Sequence, residues 1–553
     1  MRRESLLISR RAAIWGMAKR AGGLWGASAL TSTLNIHGVR AFAASRPAPI
    51  VETKYGKLRG SLRDGVYTFR GIPYGASTAG RNRFMAPREP ESWAGVRDAL
   101  MNGKIAPQIV PAAGSGPLMW RQQLRESTQG EDCLTLNLFT PGLRDGRKRP
   151  VMCWCHGGGG YSYGAGSLSE FDGNNLARRG DVVVVSVTHR LNIFGHLDLA
   201  GIGGSEYADS ANVGILDIRA ALQWVHDNIE RFGGDPRNVM TFGQSGGGDK
   251  VSALCAMPSA KGLFHKAAVQ SGSTFRTLAR DDSTKIAENV LLKLGLKASQ
   301  LLDLQNLPPD RLLSVTVAAQ GERPLRFGPV VDGHVLPGRP FDPTAPEVSA
   351  DVPMIIGTTA TETTYMIGAT DPAVFDLSEA DMRMRLKQIA GEPSDGLIDL
   401  YRKNRPGGSP SDIFFAVTTD RQMRRSAILQ AERKAAIGKA SVYMYVMAWK
   451  TPVEAGKWRS PHTVELPFIW DNIHQAAMLV GTGPELRPLA NKMSAAWLAF
   501  AHTASPSTRD LQWPAFTASQ RATMIFDDQC RVVNDPDRKE RLAIEMSLTP
   551  GAA

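Results

Sequence analysis

The stretch Val239-Met240-Thr241-Phe242-Gly243-Gln244-Ser245-Gly246-Gly247 decides the fold of this chain. Its apolar start predicts a strand, its end opens a segment compatible with a helix, and the pattern G-x-S-x-G lies between them. A serine hydroxyl becomes a nucleophile when a sharp strand-to-helix turn exposes it beside a base. Because such a turn is strained, it requires neighbours without bulky side chains, and the glycines meet that requirement. The stretch therefore predicts a nucleophile elbow at Ser245.

A second glycine-rich segment lies upstream, at His156-Gly157-Gly158-Gly159-Gly160, directly after the strand-like run 151–155. Backbone N–H groups in such a loop can point at a negatively charged oxygen as it forms, and Gly246, which follows the serine, can add another donor. A glycine-rich surface loop is the alternative. The serine pattern further along the chain favours an oxyanion hole.

The remaining catalytic groups of such a site follow in the order serine, acid, histidine. Glu362 comes directly after a short apolar strand, where a carboxylate can orient an imidazole. Three histidines follow it: His462 in a loop-like stretch, His474, and His502 at the end of a helix-like segment. A histidine at a helix end more often interacts with the last carbonyl groups, so His462 is favoured as the base. Asp332 is the second candidate for the acid.

The chain resembles the type-B carboxylesterases, a family that includes the cholinesterases and bacterial para-nitrobenzyl and cocaine esterases. The resemblance runs from about residue 50 to about residue 530. It implies an α/β-hydrolase fold, with a mostly parallel central sheet flanked by helices and large helical and loop insertions over the active site. The motifs that carry it, beside the serine pattern, are Phe69-Arg70-Gly71-Ile72-Pro73-Tyr74, Glu131-Asp132-Cys133-Leu134-Thr135-Leu136-Asn137, Phe232-Gly233-Gly234-Asp235-Pro236, G-x-x-x-x-E at 357–362 and H-x-x-E-L-P-F at 462–468.

The resemblance implies a role for each residue that matches a family motif. The family also has a buried hydroxyl behind the histidine, which corresponds to Ser271. Arg83 with Glu131, and Arg190 with Asp217, are expected to be structural ion pairs. The expected nucleophile, acid and base, followed by the residues whose N–H groups are the expected oxyanion donors, are Ser245, Glu362 and His462, then Gly158, Gly159 and Gly246.

Several residues depart from the family pattern near the predicted site. Gln244 precedes the serine where the family has Glu, so one negative charge is missing there. Gly160 stands where the family commonly has Phe, Gly246 replaces the usual Ala, and Asp249-Lys250 place charges in the following helix. The cysteine that normally pairs with Cys133 is absent, so the family's first disulfide is expected to be lost.

These features predict an enzyme that cleaves small carboxylic esters through an acyl-enzyme on Ser245, with no metal and no cofactor. The missing charge at Gln244 and the room at Gly160 favour neutral or anionic esters with bulky groups. An amide or lactone hydrolase with the same groups is one alternative. A non-catalytic cholinesterase-like binding protein is another, but the complete set of catalytic groups argues against it.

Length and composition agree with one large enzyme domain, expected at residues 44–553. The 553 residues are 42% hydrophobic and include 55 glycines and 34 prolines, which allows a large core and many long loops. The five cysteines, at 133, 153, 155, 255 and 530, have neither a metal-binding spacing nor that of a disulfide framework. No apolar run is long enough to predict a membrane span. The number of subunits stays open.

Residues 1–43 resemble a twin-arginine export signal. Arg10-Arg11 precede a weakly apolar run at 21–30, and Ala41-Phe42-Ala43 offers a cleavage site. The segment predicts export of a bacterial protein to the periplasm or beyond, and a disordered basic leader is the alternative. It holds seven Lys or Arg and one Glu, so the formal net charge of +12 falls to +6 without it. Such a mild charge, with no basic stripe interleaved with aromatic residues, does not indicate nucleic-acid binding.

Strand-like and helix-like segments alternate along the rest of the chain, as in an α/β protein. Two segments, 275–350 and 370–440, interrupt the alternation, and the resemblance implies that they cover the active site and set its specificity. Core strands are expected near 150–155, 182–187, 238–242, 267–271, 353–357 and 442–447. Helices are expected near 214–231, 246–256, 283–294, 412–436 and 489–502.

Overall fold

An eleven-stranded sheet runs through the described part of the chain, which belongs to one unit beginning at Ala48. The export signal predicted at residues 1–43 lies outside the described residues, and the domain boundary at residue 44 stays a prediction. The computed structural model describes residues 48–111, 120–273, 277–316, 326–390 and 395–547.

Strands and helices are numbered in chain order. The strands are β1 Ile50–Thr53, β2 Gly56–Arg59, β3 Ser61–Arg63, β4 Val66–Pro73, β5 Val96–Asp98, β6 Thr135–Thr140, β7 Arg149–Cys155, β8 Val183–Val187, β9 Gly234–Gln244, β10 Lys266–Gln270, β11 Met354–Thr359, β12 Val442–Met447, β13 Ala522–Phe526 and β14 Arg531–Asn534. The α-helices are α1 Trp120–Glu126, α2 Asn174–Gly180, α3 Asn192–His196, α4 Ala200–Gly203, α5 Val213–Asn228, α6 Gly246–Ala256, α7 Arg280–Leu294, α8 Leu301–Asn306, α9 Pro309–Ser314, α10 Glu362–Met366, α11 Glu379–Ala390, α12 Asp395–Asn404, α13 Pro410–Thr419, α14 Arg425–Ile437, α15 Leu466–Ile469, α16 Ala477–Val480, α17 Leu486–Thr503 and α18 Arg538–Met546.

The middle of the large sheet is parallel and its outer strands are antiparallel. The order across it is β14-β13-β12-β11-β10-β9-β7-β8-β6-β4-β3, and every neighbouring pair from β13 to β8 is parallel. Parallel neighbours need long crossover connections, which helices provide here. Strands β1, β2 and β5 form a separate three-stranded sheet. The carboxyl ends of the parallel strands therefore meet at one edge, where α/β proteins bind their ligands.

Both faces of the sheet are buried under helices. Along β7, Cys153 and Cys155 belong to one core cluster, whereas Met152 and Trp154 belong to the other. Helices α5, α6 and α14 cover the first face, and α2 and α17 cover the second. Because neither face meets water, the buried middle parts of the parallel strands are mostly apolar. No helix in the described ranges has both the length and the apolar composition of a bilayer span.

The six core strands expected from the sequence are present as β7 to β12. The helix expected at 412–436 is instead two helices, α13 and α14, joined by a π-helical turn at Asp420–Arg424. Helix α14 packs on β11 and β12, with Ala427 and Ala431 in the core. The expectation that the whole of 370–440 covers the active site was therefore wrong, because small alanines on one helix face let residues 425–437 pack closely on the sheet.

Two buried ion pairs join separate segments of the chain. The Arg83 guanidinium donates to both carboxylate oxygens of Glu131 at 2.7 and 2.5 Å, and that of Arg190 donates to both oxygens of Asp217 at 2.8 and 2.6 Å. Two parallel hydrogen bonds in each pair offset part of the free-energy cost of burying the charges. Cys133 is buried and free, as expected from its missing partner.

Candidate active site

Ser245 lies in a strained turn between β9 and α6. Its backbone has φ 57° and ψ −127°, a conformation that residues with a side chain rarely adopt. Two glycines permit the turn: a Cβ on Gly243 would lie 2.5 Å from the carbonyl of Gly247, and one on Gly247 would lie 2.1 Å from the carbonyl oxygen of Cys155. The Ser245 N–H donates to the carbonyl of Gln270 on β10 at 2.8 Å. The turn has the geometry that G-x-S-x-G predicts.

Glu362 and His462 form a buried pair at the carboxyl edge of the sheet. His462 Nδ1 lies 2.5 Å from Glu362 Oε2. The other carboxylate oxygen, Oε1, accepts from the Ser271 hydroxyl at 2.6 Å and from the Thr359 N–H at 2.8 Å. Glu362 begins α10 just after β11 ends, so the strand fixes its position. Three donors hold the carboxylate, and the carboxylate orients the imidazole.

Opposite charges set the protonation of this pair. Burial favours the neutral form of Glu362, but the charge and the hydrogen bond of His462 outweigh it and lower the pKa of Glu362. Burial likewise disfavours the imidazolium, but the carboxylate raises the pKa of His462 above its ordinary value. Ionised Glu362 accepts from the Nδ1–H of His462, which leaves Nε2 as the basic nitrogen.

Gln244 contacts the ring of His462. Its amide nitrogen lies 3.3 Å from Nε2 and 3.4 Å from Nδ1 of the imidazole. These nearly equal distances place the amide over the face of the ring. Because the amide is neutral, it leaves Glu362 as the closest anion to the imidazole. A carboxylate at this position would raise the pKa of His462 further.

The glycine loop follows β7 and lies beside the elbow. Gly158 and Gly159 have φ 129° and 54°, values that favour glycine. A Cβ on Gly158 would lie 2.1 Å from the carbonyl oxygen of Tyr163, and one on Gly157 would lie 3.2 Å from the Cβ of the elbow serine. Within the described ranges, the N–H groups of Gly158, Gly159 and Gly246 donate to no other group. All three donors can therefore bind an oxyanion.

A cavity opens over the elbow, and the serine, the glycine loop and the histidine lie in its wall. Of the residues predicted from the sequence, Glu362, Ser271 and Gly246 do not line it. Those that do are Gly158, Gly159, Gln244, Ser245 and His462. Five of the other described lining residues are aromatic: Trp120, Trp154, Tyr163, Phe171 and Tyr365.

Sequence reasoning missed these aromatic walls and one acid, Glu170. Glu170 lines the cavity, where burial raises its pKa to about 7, and no Lys or Arg is among the described lining residues. Tyr163 follows the glycine loop closely enough to have been found from the sequence. Trp120 and Tyr365 carry no motif, and only folding brings them together. The described residues of 275–350 and 370–440 do not line the cavity, which differs from the expectation that these segments set its specificity.

The alternative catalytic residues lie elsewhere. His474 is exposed, and His502 is exposed with Nε2 2.8 Å from the carbonyl of Gly180. Asp332 accepts from the side-chain amide of Asn212 at 2.8 Å. None of the three lines the cavity or contacts His462. Within the described ranges, no group of three or more His, Cys, Asp or Glu side chains is placed to hold a metal.

Comparison with known proteins identifies the family. The model of the carboxylesterase family matches residues 47–544. The chain belongs to the carboxylesterase family. It is a carboxylic ester hydrolase with an α/β-hydrolase fold, as the motifs and the sheet indicated.

Two curated relatives and one solved structure match it over 97% or more of their own length. It is similar to the para-nitrobenzyl esterase of Bacillus subtilis (strain 168), with 36% identity over 89% of this chain and 97% of the relative. It is also similar to the phenmedipham hydrolase of Pseudarthrobacter oxydans, with 32% identity over 90% of this chain and 99% of the relative. Among solved structures, the Geobacillus stearothermophilus carboxylesterase EST55 at pH 6.2 matches with a TM-score of 0.78 and 35% identity, over 89% of this chain and 99% of that one.

Proposed function

We propose that the protein hydrolyses neutral carboxylic esters bearing an aromatic or bulky apolar group, through an acyl-enzyme on Ser245. The observation that carries the proposal is that the strained elbow, the glycine loop and His462 line one aromatic cavity, with Glu362 bound to the histidine behind it.

In this mechanism the proton moves through His462. As the Ser245 oxygen attacks the ester carbonyl carbon, Nε2 of His462 takes the hydroxyl proton, and Glu362 stabilises the imidazolium. The negatively charged carbonyl oxygen accepts from the N–H groups of Gly158, Gly159 and Gly246; loss of one such donor typically lowers kcat ~100–1000-fold. The intermediate collapses, the C–O bond breaks, and the alcohol leaves with the proton from His462. Water then repeats the sequence on the acyl-enzyme and releases the acid.

The cavity wall supports the substrate class. Aromatic side chains bind apolar and aromatic groups through buried area and ring contacts. The relative from Bacillus subtilis is named for a benzyl ester. An anionic ester bound in the cavity would lie near the acidic side chain of Glu170, and no Lys or Arg is among the described lining residues to bind its charge. The anionic esters expected from the sequence are therefore not part of the proposal. Amides and lactones remain the alternative substrates of the same groups.

The test is a panel of esters, amides and lactones with matched acyl groups, assayed with the wild type and with Ser245→Ala. We expect the highest kcat/KM on benzyl or phenyl esters and no activity in the variant. A fluorophosphonate probe, which labels activated serines, should modify the wild type only. Faster turnover of amides than of esters would refute the ester assignment, and absence of labelling would refute the nucleophile.

We further propose that residues 1–43 export the folded enzyme. The support is the order of Arg10-Arg11, the apolar run and Ala41-Phe42-Ala43. Cell fractionation should place the wild type outside the cytoplasm and the double variant Arg10→Lys, Arg11→Lys inside it. Equal distribution of the two would contradict a twin-arginine route.

A further inference from the structure

Lys250 is a fully buried lysine beside the glycine loop. It lies on α6, five residues after Ser245. Its ammonium donates to the carbonyl oxygen of His156 at 2.9 Å and to that of Gly160 at 3.3 Å. The ammonium also lies 5.2 Å from the ring centroid of Tyr161. Lys250 therefore binds both ends of the loop that carries two of the proposed oxyanion donors.

The loop has no side chains of its own to fix its shape at Gly160, although the Gly158 carbonyl accepts from the N–H groups of Ser162 and Tyr163 at 3.3 and 3.1 Å. Gly157 to Gly160 have no side chains, and glycine is the residue with the greatest backbone freedom. A Cβ on Gly160 would meet nothing within 4 Å, so that end of the loop is open where the family commonly has Phe. At the Gly160 end, the hydrogen bond from Lys250 takes the place of side-chain packing.

The carbonyl of Gly160 lies directly against α6. A Cβ on Gly246 would lie 1.9 Å from this oxygen, a distance that excludes Ala in the present backbone. Gly246 and Lys250 are four residues apart and therefore share one face of the helix. Three departures from the family pattern thus meet at one point: Gly160 supplies the carbonyl, Gly246 makes room for it, and Lys250 binds it.

The ammonium of Lys250 binds carbonyl oxygens. Among the described residues, no carboxylate lies within ion-pair distance of its ammonium, although Asp249 is its neighbour on the helix. Burial lowers the pKa of Lys250 to about 8, so it is protonated at neutral pH. The buried His156 and His189 nearby have pKa values far below 7, chiefly because of burial, and stay neutral. The carbonyl groups of the loop are the hydrogen-bond partners that offset the burial of this cation.

We propose that Lys250 is a positioning residue for the oxyanion hole. Its ammonium ties the two ends of the glycine loop to the elbow helix, so the N–H groups of Gly158 and Gly159 stay directed at the reacting carbonyl beside Ser245. This inference rests on the proposed acyl-enzyme mechanism. It assigns Lys250 no contact with the substrate.

The test compares Lys250→Met with a matched control, Lys434→Met. Lys434 is also buried, and its ammonium donates to the carbonyl oxygens of Ser349 and Ala350 at 2.5 and 2.9 Å, but it is not part of the cavity lining. Both variants lose a buried ammonium that binds two carbonyl groups. We expect Lys250→Met to lower kcat about 30- to 300-fold, close to the loss of one oxyanion donor, with KM within threefold. Lys434→Met should lower the melting temperature and leave kcat unchanged.

A transition-state analogue separates positioning from general destabilisation. A trifluoromethyl ketone forms a tetrahedral adduct with Ser245 whose oxyanion needs the donors, so its affinity should fall in Lys250→Met by the same factor as kcat. If Lys250→Met does not fold, Gly246→Ala provides the second variant, because its new methyl group must displace the Gly160 carbonyl. It should lower kcat and the ketone affinity together.

Three outcomes decide the inference. A folded Lys250→Met with kcat and ketone affinity within threefold of the wild type would overturn it. So would an unchanged kcat in Gly246→Ala, or equal losses of kcat in Lys250→Met and Lys434→Met. Failure of the mechanism itself is distinguishable, because the wild type would then not be labelled by a fluorophosphonate.

Discussion

Replacing Glu362 by Gln tests how the base is oriented. The carboxylate accepts three hydrogen bonds, from His462, Ser271 and Thr359. A glutamine of the same shape can still accept the last two through its oxygen. Its NH₂ group then faces Nδ1 of His462, which must become an acceptor, and the ring proton moves to Nε2. In that tautomer the imidazole cannot take the proton of the serine.

The expected loss in kcat is about 10⁴-fold, which corresponds to about 5.4 kcal/mol in activation free energy. The loss is smaller than that from removing the nucleophile, because the serine and the oxyanion donors remain. The anion also raises the pKa of His462, and only the neutral imidazole acts as a base. The acid limb of the residual activity should therefore shift to lower pH in Glu362→Gln.

A second buried glutamate provides the control. Burial and the charge of Glu362 raise the pKa of Glu465 to about 8, so Glu465 is protonated below that pH. Glu465→Gln replaces one neutral group by another of the same size and should keep kcat within threefold at pH 7. The assay is the pH profile of kcat on a para-nitrophenyl ester, with thermal unfolding to confirm that both variants fold. A folded Glu362→Gln with kcat within tenfold of the wild type would refute the reasoning.

Three further predictions follow from the same geometry. Ser245→Ala and His462→Ala should each abolish ester hydrolysis. His502→Ala should keep kcat within threefold, because the His502 ring contacts a carbonyl outside the cavity. Steady-state kinetics of the three folded variants checks this prediction. The kcat/KM for a choline ester, divided by that for its neutral 3,3-dimethylbutyl analogue, should rise between pH 6 and pH 8.5 as Glu170 ionises and attracts the cation. A rise of the same size in Glu170→Gln would show that Glu170 is not the group responsible. Asp217→Asn leaves a buried guanidinium without its anion, so it should destabilise the fold by about 3–5 kcal/mol in denaturant unfolding while the folded enzyme keeps its kcat.

The sequence by itself determined the local geometry of the site. A G-x-S-x-G turn after an apolar strand requires a positive φ at Ser245 and glycines on both sides, and the structure has φ 57° there. The alternation of strands and helices likewise depends on short-range requirements of the backbone. Such requirements involve only a few neighbouring residues, so they can be inferred from the order of residues along the sequence.

Only the tertiary structure decided what surrounds the nucleophile. The cavity wall joins Trp120 to Tyr365, and the bond between Lys250 and the carbonyl of His156 spans 94 residues. The helix containing Ala427 packs on the sheet, although its segment interrupts the alternation along the sequence. These contacts depend on how distant elements pack, and packing depends on shape and burial that no periodic pattern in the chain encodes. Substrate choice therefore follows from the fold, whereas the chemistry follows from the motif.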